Sequence, residues 1–360
     1  MNTINETYMQ RCIELAKLGA GNVAPNPMVG AVLVHKDRII GEGYHEQYGQ
    51  AHAEVNCINS VCDDDKYLIT ESTLYVSLEP CAHHGKTPPC ADLVIRHQIK
   101  KVVVGCRDPF KEVDGKGIEK LRAAGVEVHM SAMEQQCIDL NKRFFTFHTK
   151  HRPYIVLKWA QSNDLKIASL HADRLLISND YSNKLVHKWR SEEAAILVGT
   201  NTAMLDDPSL TNRLWHGNNP IRLLVDMQLR IPPKHHLYNN EASTVIFNLK
   251  EHSGDLGMQQ QTLDKSLNRT WYYQITEDVS AVQQILHACY RMNIQSILVE
   301  GGSKLLQSFI DEDMWDEART ITNTSLIVEQ GLTAPVLKNY IASSTENIFT
   351  DRVDVYLHKQ

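Results

Sequence analysis

Apolar residues in this chain follow a period of two in some stretches and about 3.6 in others, and the alternation between the two predicts an α/β protein. Residues 1–19 read as an amphipathic helix with Tyr8, Cys12, Leu15 and Ala16 near one face. Residues 29–35 and 38–44 predict a hairpin around Lys36 and Asp37. A helix is expected to begin near His52, with strands at 73–77, 101–105 and 126–130 and helices at 91–97 and 117–124. A polar helical stretch, 132–147, closes this unit. Residues 148–153 are basic, short and end in proline, so they read as a linker. The expected domains are therefore 1–148 and 149–360. The second opens on an apolar strand at 154–159, and further strands are expected at 194–198, 221–225, 244–247 and 296–300. Residues 249–269, rich in Gln and Lys with little periodicity, read as a loop-rich insertion. There is no internal repeat and no long low-complexity segment.

Composition narrows the classes. With 360 residues, 42% of them hydrophobic, the chain can fill a core in each of two domains. A net charge of -6 argues against a dedicated nucleic-acid binder, which carries a basic field. No run approaches the ~20 apolar residues of a membrane span. The first nineteen residues lack the basic start and apolar core of a signal peptide, so a cytoplasmic location is expected. The eight cysteines should then be reduced. Six are scattered and read as packed thiols; Cys81 and Cys90 stand apart because of their neighbours.

Those neighbours carry chemistry. Hydrolytic deamination needs hydroxide at neutral pH and a proton for the leaving amine. A zinc ion with three protein ligands supplies the first, and a glutamate that is not a ligand moves the second. In zinc deaminases these parts appear as H-x-E followed by P-C-x-x-C. Here His52-Ala53-Glu54 gives the first element, and Pro80-Cys81 with Cys90 gives the second across a longer loop. Either part alone is commonplace. Together in one short α/β unit they assign His52, Cys81 and Cys90 to Zn2+ and Glu54 to acid–base catalysis. The spacing suits Cys81 near a strand end, Cys90 opening a helix, and His52 with Glu54 on a first helical turn. A closed structural zinc site built from Cys81, Cys90 and two histidines, with His83 and His84 available, is the competing reading. Glu54 counts against it, because a closed site has no use for an acid–base residue.

The run Glu79-Pro80-Cys81-Ala82-His83-His84-Gly85-Lys86-Thr87-Pro88-Pro89-Cys90, with Pro25-Asn26-Pro27-Met28-Val29-Gly30, Gly43-Tyr44-His45 and His52-Ala53-Glu54, resembles the riboflavin-pathway deaminase over roughly residues 6–148. The stretches at 190–202, 206–213, 219–222 and 299–302 resemble the reductase domain of the bifunctional enzyme. The resemblance implies an N-terminal cytidine-deaminase-like three-layer domain and a C-terminal dihydrofolate-reductase-like domain, with NADPH as hydride donor. It implies deamination of a pyrimidine ribosylamine phosphate, then reduction of its ribose to a ribityl chain. Carried over residue by residue, it places Asn26, His83, Lys86 and Thr87 at the deaminase substrate. It places Ala160, Thr202, Asp206, Gly301 and Gly302 at the cofactor, and Arg190, Leu210, Arg213 and Glu300 at the reductase substrate. A homo-oligomer without nucleic-acid or membrane partners is expected.

The chain departs from that pattern in places. Ser162-Asn163-Asp164-Leu165 stands where Ser-Leu-Asp-Gly is usual, Leu176 where Trp is frequent, Met227 where Ser follows the aspartate, and Phe110 where Asn is common. The stretch 321–337 keeps little of the usual Pro-Leu-Leu-Gly pattern. Physically, Asn26 can pair with a ring edge, Lys86 can reach a phosphate, and arginines suit phosphate through forked hydrogen bonds. Gly301-Gly302 joins an apolar strand to a helix start, where backbone N–H groups can meet phosphate. Gly19-Ala20-Gly21-Asn22-Val23-Ala24 fits a dinucleotide fingerprint in spacing but follows a helix instead of a strand, and is set aside. Two further readings remain at this point: a nucleobase deaminase with an accessory, structural C-terminal domain, and a non-catalytic zinc-stabilised module.

Overall fold

The computed structural model describes residues 6–83, 88–170, 175–251 and 269–359. Lys86, Thr87 and His84, and most of the stretch 249–269, lie outside the described residues. The chain divides into two units, Met1–Lys150 and His151–Gln360.

The first unit runs α1 (Glu6–Lys17), β1 (Gly30–His35), β2 (Arg38–Tyr44), α2 (Ala53–Asn59), a 3-10 stretch (Asp63–Glu71), β3 (Thr73–Val76), α3 (Cys90–Arg96), β4 (Lys101–Val104), α4 (Lys116–Ala123), β5 (Glu127–Met130), α5 (Glu134–Leu140) and α6 (Lys142–Lys150). Its sheet has the order β2-β1-β3-β4-β5. Strand β1 is antiparallel to both neighbours, whereas β3, β4 and β5 are parallel. The hairpin turns at Lys36 (φ 43°) and Asp37 (φ 65°), both left-handed, as a two-residue turn matched to strand twist requires. Period-two alternation then sorts the side chains. Ala31, Leu33, Leu74, Val76, Val102 and Val104 face α2, α3 and α4. Val32, Val34, Tyr75 and Val103 face α1 and Cys137 of α5. The result is the expected three layers, helices on both faces of one sheet. Helix α2 lies hard against β2 because position 43 is glycine: a Cβ there would stand 2.3 Å from the Cys57 nitrogen.

Two expectations for this unit need correcting. The helical stretch read at 132–147 is two helices, broken at Asn141. The Asn141 amide is taken up by Met28, accepting its N–H and donating to its carbonyl, both at 2.8 Å. Helix α6 also continues through 148–150, read as linker. His148 packs there against Phe110, Phe144 and Phe147, and that burial favours one more helical turn.

The second unit contains β6 (Tyr154–Ser162), β7 (Lys166–Ser169), α7 (Asp180–Glu192), β8 (Ala195–Gly199), α8 (Thr200–Asp206), β9 (Ile221–Val225), a 3-10 turn (His236–Tyr238), β10 (Thr244–Asn248), β11 (Thr270–Gln274), α9 (Ala281–Arg291), β12 (Ser296–Glu300), α10 (Ser303–Asp311), β13 (Glu317–Asn323), β14 (Gly331–Thr333), β15 (Tyr340–Ile348) and β16 (Asp351–His358). Nine strands form one sheet in the order β11-β10-β9-β8-β12-β6-β13-β16-β15, and β14 pairs with β7. The strands from β11 to β13 are parallel, and β16 and β15 add an antiparallel margin. Both faces of the parallel part are covered, which is why its strands read as continuous apolar runs. Ile155, Leu157, Leu197, Leu223, Phe247, Ile297 and Val299 pack on one face with α9 and α10. Ile196, Val198, Leu224 and Ile246 pack on the other with Ala203 of α8. Strand β6 extends past its expected end, so Lys158 lies within it and not at its close. At the departure Leu165 the backbone is left-handed (φ 61°), the conformation a glycine adopts freely. Among the described residues no helix is long and apolar enough to cross a membrane.

Candidate active sites

In the first unit the local folding around two helix starts builds a metal site. His52 is the residue immediately before α2, and its backbone is extended. Cys90 is the first residue of α3. The Cys90 N–H points at Cys81 Sγ (3.3 Å), and the Ala91 N–H donates to the Cys81 carbonyl (3.1 Å). The loop bearing Cys81 is thus hung on the N-terminus of α3, a setting that favours thiolate. His52 Nδ1 lies 3.6 Å from Cys81 Sγ and 3.3 Å from Cys90 Sγ. All three donor atoms fall within 4.8 Å of one another, and among the described residues this is the only such group of histidine, cysteine and acidic side chains. A hydrogen bond from the Cys90 thiol, helped by His52, holds Cys81 well below the ordinary thiol range. The same shared proton, together with burial, pushes Cys90 far up. Two sulfurs and one imidazole nitrogen suit zinc, and three protein ligands leave one position open.

The surroundings are specific. Glu54, in the first turn of α2, is 3% exposed. Burial raises its carboxyl above the usual range, and nearby His52 offsets part of that rise. Glu54 therefore stands beside the donor atoms as a proton-holding group. Asn26 reaches the site through His45: its Nδ2 lies 3.1 Å from His45 Nε2, while His45 Nδ1 faces the Ala51 carbonyl at 3.0 Å. A carbonyl only accepts, so His45 Nδ1 carries the proton and Nε2 accepts from Asn26. That leaves the Asn26 oxygen turned away from His45. The His45 ring stacks edge-on against His52 with centroids 5.4 Å apart. Glu79 is buried and accepts backbone N–H groups from Asp108 (3.2 Å), Gly115 (3.0 Å), Gly117 (2.9 Å) and Ile118 (3.2 Å). It ties the start of α4 to the segment leading into Cys81. His83 is not one of the clustered donors; its ring meets Phe110 instead, centroids 6.1 Å apart.

In the second unit the polar residues gather at the C-terminal ends of parallel strands, where open α/β sheets bind their ligands. Glu300 closes β12 and is buried. Arg190 of α7 grips it with a fork, Nε to Oε1 at 2.9 Å and Nη2 to Oε2 at 2.8 Å. Lys158, opposite Glu300 in the β6–β12 register, brings its Nζ to 3.7 Å. Burial alone would raise the Glu300 carboxyl, but Arg190 and Lys158 hold it down to about 2. Burial in turn lowers Lys158. Thr202 Oγ1 accepts the Gly302 N–H at 2.9 Å. That amide is therefore already engaged within the turn. Gly301 is needed as glycine, since its φ is 128° and a Cβ would come within 2.9 Å of Thr202 Oγ1. Asp206 sits exposed at the end of α8, and Ala160 is half-buried on β6. The Leu210 side chain is 2% exposed and belongs to the core with Ile196, Val198, Ala203 and Leu224, so its backbone is what it can offer a ligand. Arg213 is exposed, with Nη1 on Thr211 Oγ1 at 2.8 Å.

The structure thus brings Arg190, Glu300 and Lys158 together, and Thr202 with Gly301 and Gly302. Sequence reasoning left two neighbours of these groups out of the site residues: His45 and Lys158. Both had a signal, His45 within a quoted motif and Lys158 as a charge inside an apolar strand.

Comparisons with known proteins agree with this geometry. Residues 2–106 match the family model described as the cytidine and deoxycytidylate deaminase zinc-binding region, and residues 153–328 match the RibD C-terminal domain. The riboflavin biosynthesis protein RibD of Aquifex aeolicus is 39% identical over 315 residues, covering 87% of this chain and 85% of that one. RibD of Escherichia coli is 32% identical over 328 residues, covering 87% and 86%. Among solved structures, the diaminohydroxyphosphoribosylaminopyrimidine deaminase/5-amino-6-(5-phosphoribosylamino)uracil reductase of Thermotoga maritima superposes with a TM-score of 0.86 at 36% identity, covering 98% of each chain. Acinetobacter baumannii RibD, form 1, also gives 0.86, at 28% identity and 99% coverage of each. A likeness that runs through both units in sequence and in structure makes this chain a member of the riboflavin biosynthesis protein RibD family.

Proposed function

We propose that Met1–Lys150 deaminates 2,5-diamino-6-(5-phosphoribosylamino)pyrimidin-4(3H)-one to 5-amino-6-(5-phosphoribosylamino)uracil, and that His151–Gln360 then reduces the ribosyl group to ribityl with NADPH. The observation that carries the reading is the open His52–Cys81–Cys90 donor set with buried Glu54 beside it. When bound there, zinc supplies an activated water. Glu54 would take the two protons of the attacking water in turn, passing one to the ring nitrogen and one to the amine, which leaves as ammonia as the C–N bond breaks and the water oxygen stays on the ring carbon. The Asn26 oxygen meets the donor edge of the pyrimidine, and Lys86 and Thr87, which lie outside the described residues, are assigned to the substrate, Lys86 to its phosphate.

In the second unit the nicotinamide supplies the hydride. Ala160, Thr202, Asp206 and the Gly301-Gly302 turn form the cofactor side. Glu300, kept ionised by Arg190 and Lys158, orients the ribosyl group, while Arg213 and the Leu210 backbone hold the rest of the substrate. Unpaired thiols throughout fit a cytoplasmic location. A homo-oligomer is supported by β15, an edge strand exposed along nearly all its length with Glu346 as its only charge.

The test supplies the diaminopyrimidinone phosphate with no nicotinamide, with NADH or with NADPH, and identifies products by mass. The reading expects deaminated product in every case and the ribityl product with NADPH. Failure to deaminate sinks the first half of it, and deamination without reduction sinks the second.

A further inference from the structure

We propose that His187 is a positioning residue for the reductase substrate, holding Arg213 in place through the Arg213 backbone. His187 and Arg190 stand three residues apart on α7, on one face of the helix. Each fastens the segment that follows α8. The Arg213 N–H donates to His187 Nδ1 at 2.9 Å, and Arg190 Nη1 reaches the Thr211 carbonyl at 3.4 Å. The segment needs fastening. Asp207 (φ 38°) and Leu210 (φ 50°) are both left-handed without being glycine. Leu210 anchors one side in the core, the Asn212 N–H donates to Asn219 Oδ1 at 2.8 Å, and His187 supplies the last hold before the exposed Arg213 guanidinium.

The His187 bond works only if Nδ1 is unprotonated. His187 is 6% exposed. Burial, then Arg190 and Arg213, hold its imidazole down to about 4, while Glu300 and Asn212 act the other way. His187 is therefore a permanent acceptor in the neutral range and not a pH switch. One helix turn carries both the arginine that holds Glu300 and the histidine that aims the second arginine.

The inference rests on the reading of Arg213 as a substrate ligand, and the experiment separates the two. Steady-state reductase kinetics are measured on the full-length chain with 5-amino-6-(5-phosphoribosylamino)uracil and NADPH. The variants are His187→Phe, His187→Gln, Arg213→Ala and the double variant His187→Phe/Arg213→Ala. His187→Phe is expected to raise the substrate KM roughly tenfold, the scale of one lost hydrogen bond to a binding group, with kcat and the NADPH KM little changed. His187→Gln, which keeps an acceptor oxygen, should recover most of that. The double variant should be no worse than Arg213→Ala alone, because the histidine acts through the arginine. Three outcomes overturn the proposal by itself while Arg213→Ala is impaired: a normal KM in His187→Phe, losses that simply add, or a uniform loss in kcat and both KM values. If Arg213→Ala binds substrate normally, the ligand reading and the proposal fall together.

Discussion

Glu54 is a carboxyl that burial holds in its protonated form more readily than usual, beside three metal-binding atoms. Glu54→Gln keeps the shape and removes the titratable proton. It is expected to retain zinc and lose deamination by roughly 10²–10⁴-fold, whereas Cys81→Ser and Cys90→Ser should lose the metal itself. Metal analysis set beside a deamination assay separates the two effects. Glu300 gives a test with a sign. Its folded-state value, about 2, lies below the ordinary glutamate value of 4.5, so its ionisation stabilises the fold above that ordinary value. This contribution is lost as pH falls through about 2. Glu300→Gln leaves Arg190 and Lys158 buried without a counter-charge and should cost about 3–5 kcal/mol at neutral pH. In denaturant unfolding, the gap between the two proteins should narrow as pH drops from about 4.5 toward 2; a constant gap would detach the loss from ionisation. The zinc residues were legible in sequence because their signature is local and chemically specific. His187 was not, because its role exists only through a residue 26 positions away that the fold brings to it.

Helix α7 illustrates the same limit one scale up. Its inward face carries Val186 and Trp189 but also Ser182 and His187, so polar groups interrupt the apolar stripe that would announce a helix. Its start depends on Asn179, whose Oδ1 accepts the N–H groups of Tyr181 (3.0 Å) and Ser182 (2.9 Å) while its Nδ2 donates to the Ile348 carbonyl (2.8 Å). Asn179→Ala is expected to destabilise the second unit by about 1–2 kcal/mol and lower its unfolding midpoint. Asn179→Asp keeps the cap but not the Ile348 bond, and should fall between. The hairpin β1–β2 was readable because Lys36-Asp37 sits between two β-rich runs. Strands β15 and β16 were not, since β15 is exposed on both faces and has no buried side to impose alternation. The break at Asn141 escaped notice because its cause, Met28, is far away in the chain.

On the scale of the whole molecule, each unit carries its own apolar clusters, and among the described residues only the first carries a metal site. A chelator should therefore lower the unfolding temperature of Met1–Lys150 and leave that of His151–Gln360 in place. The stabilisation removed is about 3 kcal/mol when metal stands ~100-fold above its dissociation constant. Hydrogen exchange read by mass spectrometry would assign the shift to one unit; equal loss of protection in both would contradict it. The two-domain division was visible in the sequence as a basic stretch ending in proline, yet the residues that open the second unit are held within it more firmly than that composition suggests. Helix α6 ends at Lys150 and β6 begins at Tyr154. Between them, Arg152 is forked onto Asp316 at 2.6 and 2.7 Å, and Pro153 is buried. A protease needs slack, exposed chain to draw into its cleft. Little is offered here, so a partial digest should nick other loops before it parts the halves, and anyone wanting one activity without the other will have to cut the gene instead of the protein.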